Sequence, residues 1–600
     1  MTDKIVDVPV ETEPHVEIDM KQWFGHPRQL FLLFTTEMWE RFGYYGMRAI
    51  LILYLTKHFI FDQGVASGLY GAFTSLVYLT PLVGGLLADK YLGSKRSIKF
   101  GAILMALGYF GLTFGGEAAK PYLEYDGQRY DVVKQADGNG EDAQYVVAGG
   151  KHFRIVGEPD GSVTLEGSDG TVLPANLARG SFDFDGERSP FFIHLMLISL
   201  ATIVVGNGFF KPNISTIVGA LYKEGDGRRD AGFTIFYMGI NLGSLLSQIF
   251  VPLFAVWFGW AEAFGLVVVG MVLSWALIQF ENGRLRGLGE RPAEAKGGVS
   301  DLVIYAGALV TIPVMWFLMT GAMEAASAMA EAQSTGVLGY FLAQPLLGKM
   351  MIIVFLAAII GIPVYSLLTM EPGEGHRMVV ATVLIFFSTV FWTLFEQAGS
   401  SMTLFAEHNT DRSIGFGIAM EAGQVQLFNP LFIVLLAPVF SMMWSRLASR
   451  GREPSTPVKF SLGLMQVGLG FIVLAFGANF ADDSFRVGIV WLALAYLLHS
   501  TGELCLSPVG LSMITKLSVA RLVGLMMGAW FMSSAMAQYA GGIVAQFASS
   551  ETVGGQVLNR EAALSNSLDV FNTIGIWAFG IGIFLLLISP LLRKGMHGVH

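Results

Sequence analysis

The feature that most constrains this chain is a run of mostly apolar residues from Leu30 to Lys57 with charges set inside it. A hydrocarbon core roughly 30 Å thick is crossed by about 20 helical residues, so the run is long enough to span a bilayer. Within it stands E37-M-W-E-R-F-G-Y-Y-G-M-R48. A charge at mid-bilayer costs about 2.5–3.5 kcal/mol on insertion scales. On a helix, Glu37, Arg41, Tyr44, Tyr45 and Arg48 recur at three- and four-residue steps and form one face, with Glu40 beside it. One reading is a buried ion pair that locks the helix to its neighbours. Two carboxylates against two guanidiniums exceed what locking requires. The other reading is a water-filled path that needs a proton carrier and a fixed cation.

Composition extends this to the whole chain. Charged residues are 14%, against roughly 25% in soluble domains, and 53% of residues are hydrophobic. The 72 glycines and 27 methionines suit close-packed membrane helices. The single cysteine, Cys505, excludes an intramolecular disulfide and any cysteine-based metal cluster. The chain reads as an all-α polytopic membrane protein.

Residues 1–28 are polar and acidic, lack the features of a signal peptide and read as a disordered cytoplasmic tail. Apolar segments follow near 30–57, 66–88, 96–116, 190–220, 231–257 and 261–280. Two more lie near 301–320 and 348–370. A last six lie near 377–406, 420–446, 458–480, 485–516, 521–547 and 568–592. Fourteen spans are expected: a six-helix bundle over 29–116 and 190–280, a linker with two extra helices over 281–375, and a second six-helix bundle over 376–592. A short tail, 593–600, ends the chain.

Lys and Arg in short loops mark the cytoplasmic side. They gather at Lys90–Lys99, at Lys223–Arg229, at Arg284, Arg286, Arg291 and Lys296, at Arg446–Lys459, and at Lys516 and Arg521. Both termini are therefore expected to be cytoplasmic. Residues 117–189 fall on the opposite side, with 14 Asp and Glu against 7 Lys and Arg. Short β-type runs there are separated by D-G, N-G and G-G pairs, which are hairpin-turn chemistry. A small β-rich external insertion is expected, and a dispensable role is favoured for it over capturing substrate or docking a partner.

Six plus six spans with a basic loop after the second suggest two bundles facing each other across a central path. G84-G-L-L-A-D-K-Y-L-G-S-K-R96 resembles the loop signature of the major facilitator superfamily, with Asp89 placed to bind helix ends or bases. Glu37–Tyr45 resembles the ExxERFxYY motif of the proton-dependent oligopeptide transporter family. F233-T-I-F-Y-M-G-I-N-L-G-S-L245, F209-F-K-P-N213, F391-W-T-L-F-E-Q397, F428-N-P430 and G502-E-L-C-L-S-P508 resemble further segments of that family. Ser97 falls where Thr, Ala or Val is usual. Some eukaryotic members carry a histidine where this chain has Gly71, so carboxylates have to suffice for proton handling.

The chemistry is arguable from the residues as well. A peptide is a zwitterion, so its carrier must offer cations to the carboxylate and an anion to the amine. Arg41 and Lys211 supply cations in the first bundle, and Glu396 and Glu503 supply anions in the second. Tyr44, Tyr45, Tyr78, Asn241, Asn429 and Ser507 offer neutral hydrogen-bonding groups, and Trp392 and Trp530 adaptable apolar walls. The resemblance implies that Arg41, Tyr45 and Lys211 face the carboxylate and that Asn429 and Glu503, with Glu396 close by, face the amine. Each has a plainer alternative: Lys211 paired with a structural carboxylate, Asn241 satisfying a helix backbone, Tyr78 packing. Glu37, Glu40 and Glu396 are the proton-coupling candidates with Arg41, because a carboxylate whose salt bridge forms or breaks can release or load a proton. Lys211–Glu503 and Arg48–Glu396 are expected to form and break alternately as gates.

Enzyme signatures are missing: there is no Walker loop, HExxH or GxSxG, and the histidines are scattered. A sensor built on a transporter scaffold would be expected to have lost its buried charges, and they are present. Paired opposite charges disfavour a nitrate carrier. The expectation is a symporter importing di- and tripeptides with protons as coupling ion. No cofactor, metal or nucleic-acid partner is expected. The chain is expected to act as a monomer, and by resemblance in a bacterial inner membrane.

Overall fold

The structure, a computed structural model, describes residues 22–136, 142–223, 226–285, 287–292, 301–332 and 336–599. The expected N-terminal tail lies outside the described residues over 1–21, as do Arg286 and Lys296 of the basic linker. The first bundle holds α1 (Arg28–Lys57), α2 (Gln63–Leu87), α3 (Ser94–Leu112), α4 (Pro190–Ala220), α5 (Arg229–Trp257) and α6 (Trp260–Gln279). Four linker helices follow: α7 (Asp301–Glu324), α8 (Ala326–Ala332), α9 (Gly336–Ala343) and α10 (Leu346–Thr369). The second bundle holds α11 (Pro372–Phe395), α12 (Ser401–His408), α13 (Phe428–Ser449), α14 (Thr456–Gly477), α15 (Ile489–Leu517), α16 (Val523–Phe547) and α17 (Arg560–Gly595).

Among the described residues twelve helices are long and apolar enough to cross a membrane. The helices α1 and α3 are outside that count because they carry charge: Glu37, Glu40, Arg41 and Arg48 in the one, Lys95, Arg96 and Lys99 in the other. The ends follow local chemistry. Asp62 caps α2 by accepting from the Gly64 amide at 2.7 Å, and Pro190 and Pro372 open α4 and α11 where no amide hydrogen is needed.

Two crossings between helices depend on glycine. A Cβ on Gly71 of α2 would sit 2.7 Å from the Gly542 Cα of α16, so the two bundles meet there backbone to backbone. A Cβ on Gly84 would run into the Gly208 carbonyl of α4.

The expected span over 377–406 is not one helix. It breaks after Phe395 into a 3-10 turn, Glu396–Gly399, before α12 resumes. The space beside Gly399 is filled by Arg48 and Tyr70 from the first bundle; a Cβ there would meet Arg48 Nη2 at 3.2 Å. The segment before α13 is also a 3-10 turn, Ala422–Leu427, fixed by a capping box between Glu421 and Gln424.

Between α3 and α4, seven strands from Lys120 to Glu187 form one antiparallel sheet. Its first and last long strands, Lys120–Tyr125 and Phe182–Glu187, pair with each other, so the insertion leaves and re-enters the bundle at one point. Leu123, Val146, Phe153 and Leu165 form its own apolar core.

The loop after α2 differs from expectation. Asp89 is exposed, in a π-helical turn, and holds no base among the described residues. The linker after α6 supplies the partners instead: Glu281 and Glu290 bind the Lys95 ammonium at 3.1 and 2.8 Å. Burial works to raise the Glu281 carboxyl, but the Leu285 amide and the Lys95 ammonium outweigh it and hold the group below the ordinary range.

Candidate functional site

Both bundles contribute to a central cavity of about 380 Å³, within the usual range for small-ligand sites. The first bundle lines it with Glu37, Arg41, Tyr45 and Arg48 of α1, Tyr78 of α2, Lys211 of α4 and Asn241 of α5. The second lines it with Trp392 and Glu396 at the α11 break, Asn429 of α13, and Glu503 and Ser507 of α15. Helical spacing explains the first set: Glu37, Arg41, Tyr45 and Arg48 are three or four residues apart on α1 and share one face.

The ions of the cavity are matched in a telling way. Arg41 Nε lies 2.7 Å from Glu37 Oε1 and 2.8 Å from Glu40 Oε2. Both carboxylates therefore lean on one guanidinium nitrogen, and neither Glu40 oxygen accepts an aligned hydrogen bond. Two carboxyl groups thus share one guanidinium at this point of the cavity wall. Arg48 reaches across the bundles to the Glu396 carboxylate, and its Nε donates to the Tyr70 hydroxyl at 2.6 Å.

Lys211 and Glu503 stand apart from these pairs. The Lys211 ammonium lies 4.1 Å from the centre of the Tyr78 ring, a cation–π contact, and forms no ion pair among the described residues. Glu503 is held by neutral donors: Asn429 Nδ2 at 3.0 Å and the Tyr237 hydroxyl at 3.4 Å. Of the two expected gates, Arg48–Glu396 is formed here and Lys211–Glu503 is not. The plainer alternative for Lys211, a structural carboxylate partner, is not seen either. Asn241 does both of the things considered for it, lining the cavity and donating to the Tyr237 carbonyl at 3.0 Å.

Three of the expected site residues lie outside the cavity lining. Tyr44 points behind the cavity wall, with its ring edge-on to Tyr45 at 5.3 Å and its hydroxyl buried without a partner. Glu40 is fully buried behind Arg41. Trp530 packs on α15 at Gly510, where a Cβ would meet the indole at 2.6 Å. Conversely, Tyr237, Gln248, Phe395 and Gln426 line the cavity without having been singled out. Tyr237 and Phe395 stand inside quoted segments, Tyr237 one turn before Asn241 and Phe395 next to Glu396. Among the described residues no histidine lines the cavity; His499, for example, is buried against Phe471 and the Val467 carbonyl.

Beyond the cavity, on the side of the α1–α2 turn, further bonds join the two bundles. Lys57 pairs with Glu407 at 2.6 Å. Gln63 Nε2 donates to His408 Nε2 at 3.1 Å, and the Ser550 amide donates to Gln63 Oε1 at 2.9 Å. Gln424 Nε2 donates to the Ile249 carbonyl at 2.9 Å and Gln546 Nε2 to the Gly64 carbonyl at 3.2 Å. This end of the cavity is sealed by both bundles together.

Comparison with known proteins gives a consistent picture. The profile of the POT family matches residues 95–560. The chain is 31% identical to the uncharacterized transporter YclF of Bacillus subtilis over 593 residues, covering 97% of each. It is 30% identical to the dipeptide and tripeptide permease A of Edwardsiella piscicida, covering 95% of this chain and 96% of that one. Among solved structures, a variant of a peptide transporter POT in complex with alafosfalin superposes with a TM-score of 0.70 at 29% identity. It covers 97% of this chain and 98% of its own.

Proposed function

The chain belongs to the POT family, and on that premise we propose that it is a symporter importing di- and tripeptides together with protons by alternating access. It is a transporter and not an enzyme. The observation that carries the substrate reading is the state of Lys211 and Glu503. They are a cation and an anion on opposite sides of one cavity, and neither is paired with an opposite charge among the described residues. A zwitterion completes both, its carboxylate taken by Lys211 with Arg41 and Tyr45 near, its amine by Glu503 with Asn429 beside it. Asn241, Tyr78, Glu396 and Ser507 surround the peptide unit, and Trp392 offers a wall to its side chains. The desolvation of these charges, costly while the cavity is empty, is offset by the ligand.

Proton coupling rests on the Glu37–Glu40–Arg41 cluster, where two carboxylates crowd one guanidinium, with Glu396 as a further carrier. Proton uptake at the cluster frees Arg41 to turn toward the peptide carboxylate. Arg48–Glu396 and Lys211–Glu503 alternate as gates.

The same proposal includes α1 and α3 as spans, fourteen in all, with their charges turned to the cavity and to the loop side. Both termini then lie in the cytoplasm, and the sheet lies outside, over a bacterial inner membrane. One chain is the working unit, with no cofactor beyond the proton. The test is uptake of labelled dialanine into proteoliposomes with and without an inside-alkaline gradient, competed by alanine, dipeptide, tripeptide and tetrapeptide. Gradient-driven accumulation competed by di- and tripeptides alone is the expected result. Accumulation indifferent to the gradient, or competition by alanine, overturns the reading.

A further inference from the structure

The inserted sheet is fastened to both bundles. On the first, Arg188 donates from Nε and Nη2 to the carbonyls of Phe59 and Ile60 at 2.6 Å each. The Ala119 amide donates to the His58 carbonyl at 2.8 Å. Both ends of the insertion are thus bound to the α1–α2 turn, and the sheet moves with that turn. On the second bundle, the partner is the hairpin Thr552–Val557 between α16 and α17. Val553 from its tip is 3% exposed and belongs to the apolar core of the sheet, with Leu123, Val146 and Phe153. Asn559 caps α17 by accepting from the Ala562 amide at Oδ1 and donates from Nδ2 to the Gly157 carbonyl at 2.8 Å. Arg179 Nη2 faces Glu551 Oε1 at 3.6 Å.

A sheet that only needed a core of its own would not bury a residue from the other half of the molecule. Alternating access requires the bundles to part at whichever end is closed. The sheet stands over the end sealed by Lys57–Glu407 and Gln63–His408, so opening there has to draw Val553 out of the core or carry the hairpin away from α16 and α17. Resting on the alternating-access reading above, we propose that the sheet is a latch: its grip on the α16–α17 hairpin holds the outer end shut and sets the balance between the two facing states. This assigns a role to the insertion that its sequence did not suggest.

The test uses the full chain with Cys505→Ser, which removes its only cysteine. Arg179→Cys and Glu551→Cys, joined by a bifunctional methanethiosulfonate reagent, lock the sheet to the hairpin. Locking is expected to lower dialanine uptake about tenfold or more, with recovery when a reductant cleaves the link. Uptake unchanged by locking overturns the latch. A second measurement stands without transport. Spin labels at Phe114→Cys and Ile414→Cys, both exposed positions at the closed end, report the gap between the bundles. Val553→Ser is expected to move the distance distribution toward longer values, raising the open population about tenfold. An unchanged distribution in Val553→Ser overturns the latch even if the protein carries no peptide, so the two readings fail separately.

Discussion

Arg48 and Glu396 meet where α11 comes apart: the guanidinium from α1 sits beside Gly399 in the 3-10 turn and binds a carboxylate of the opposite bundle. The break is what admits the guanidinium, since a side chain at residue 399 would occupy its place. This pair also holds the Tyr70 hydroxyl, so three helices close on one charge.

Removing one partner of this pair leaves the other buried and uncompensated, at a cost of about 3–5 kcal/mol. Glu396→Ala is therefore expected to lower peptide uptake by at least about a hundredfold, with Arg48→Ala similar. The double variant is expected to lose less than the sum of the two, and a double-mutant cycle on uptake rates checks this. Additive losses would mean the two residues act separately.

Lys211 is a cavity cation that no carboxylate pairs with among the described residues. Lys211→Gln is expected to raise the apparent KM for dialanine about tenfold or more, as loss of a charged hydrogen bond worth about 1.5–3 kcal/mol implies. Dialanine amide, which lacks the carboxylate, is expected to bind both proteins equally. Competition assays in proteoliposomes measure both effects.

The contact of Gly71 with Gly542 joins the bundles without intervening side chains. Gly71→Leu inserts a side chain against backbone and is expected to destabilise the closed end by about 1–3 kcal/mol. The expected signs are a lower melting temperature and faster labelling of a cysteine placed at Gln63.

Glu281 lies outside the spans and has its carboxyl held below the ordinary range, so its contribution to stability has a defined sign with pH. It is present at pH values above the ordinary glutamate range and is lost as the pH falls through the folded value. Wild type is expected to lose more thermal stability than Glu281→Gln between pH 7 and pH 3, read from melting curves at a series of pH values. Parallel curves would contradict a stabilising role for the Glu281–Lys95 ion pair.

Much of this was legible in the residues because charge inside an apolar segment is expensive enough to be conspicuous. Arg41, Lys211, Glu396 and Glu503 each stand out for that reason, and they meet in one cavity. Neutral polar residues carry no such signal. Gln248 and Gln426 look like any amide in a helix, and only packing shows that they face the cavity. Tyr44 and Tyr45 are adjacent in the chain and differ by 100° around α1, which separates a residue behind the wall from one in it. The α11 break was hidden because the apolar segments on both sides of Glu396–Gly399 read as one span; the side chain that the break admits, Arg48, lies more than three hundred residues away in sequence. The burial of Val553 in the sheet was hidden for the same reason: long-range contacts leave no local pattern.

The central claim is that the two charges left unpaired in the cavity read the two ends of a peptide. The affinity of dialanine compared with N-acetyl-dialanine, in wild type and in Glu503→Gln, tests it most directly. Wild type is expected to favour the free amine by about ten- to a hundredfold, and Glu503→Gln to bind both about equally, since glutamine keeps the hydrogen-bonding shape and loses the charge. If Glu503→Gln keeps the full preference for the free amine, Glu503 does not read the amine and the account is wrong.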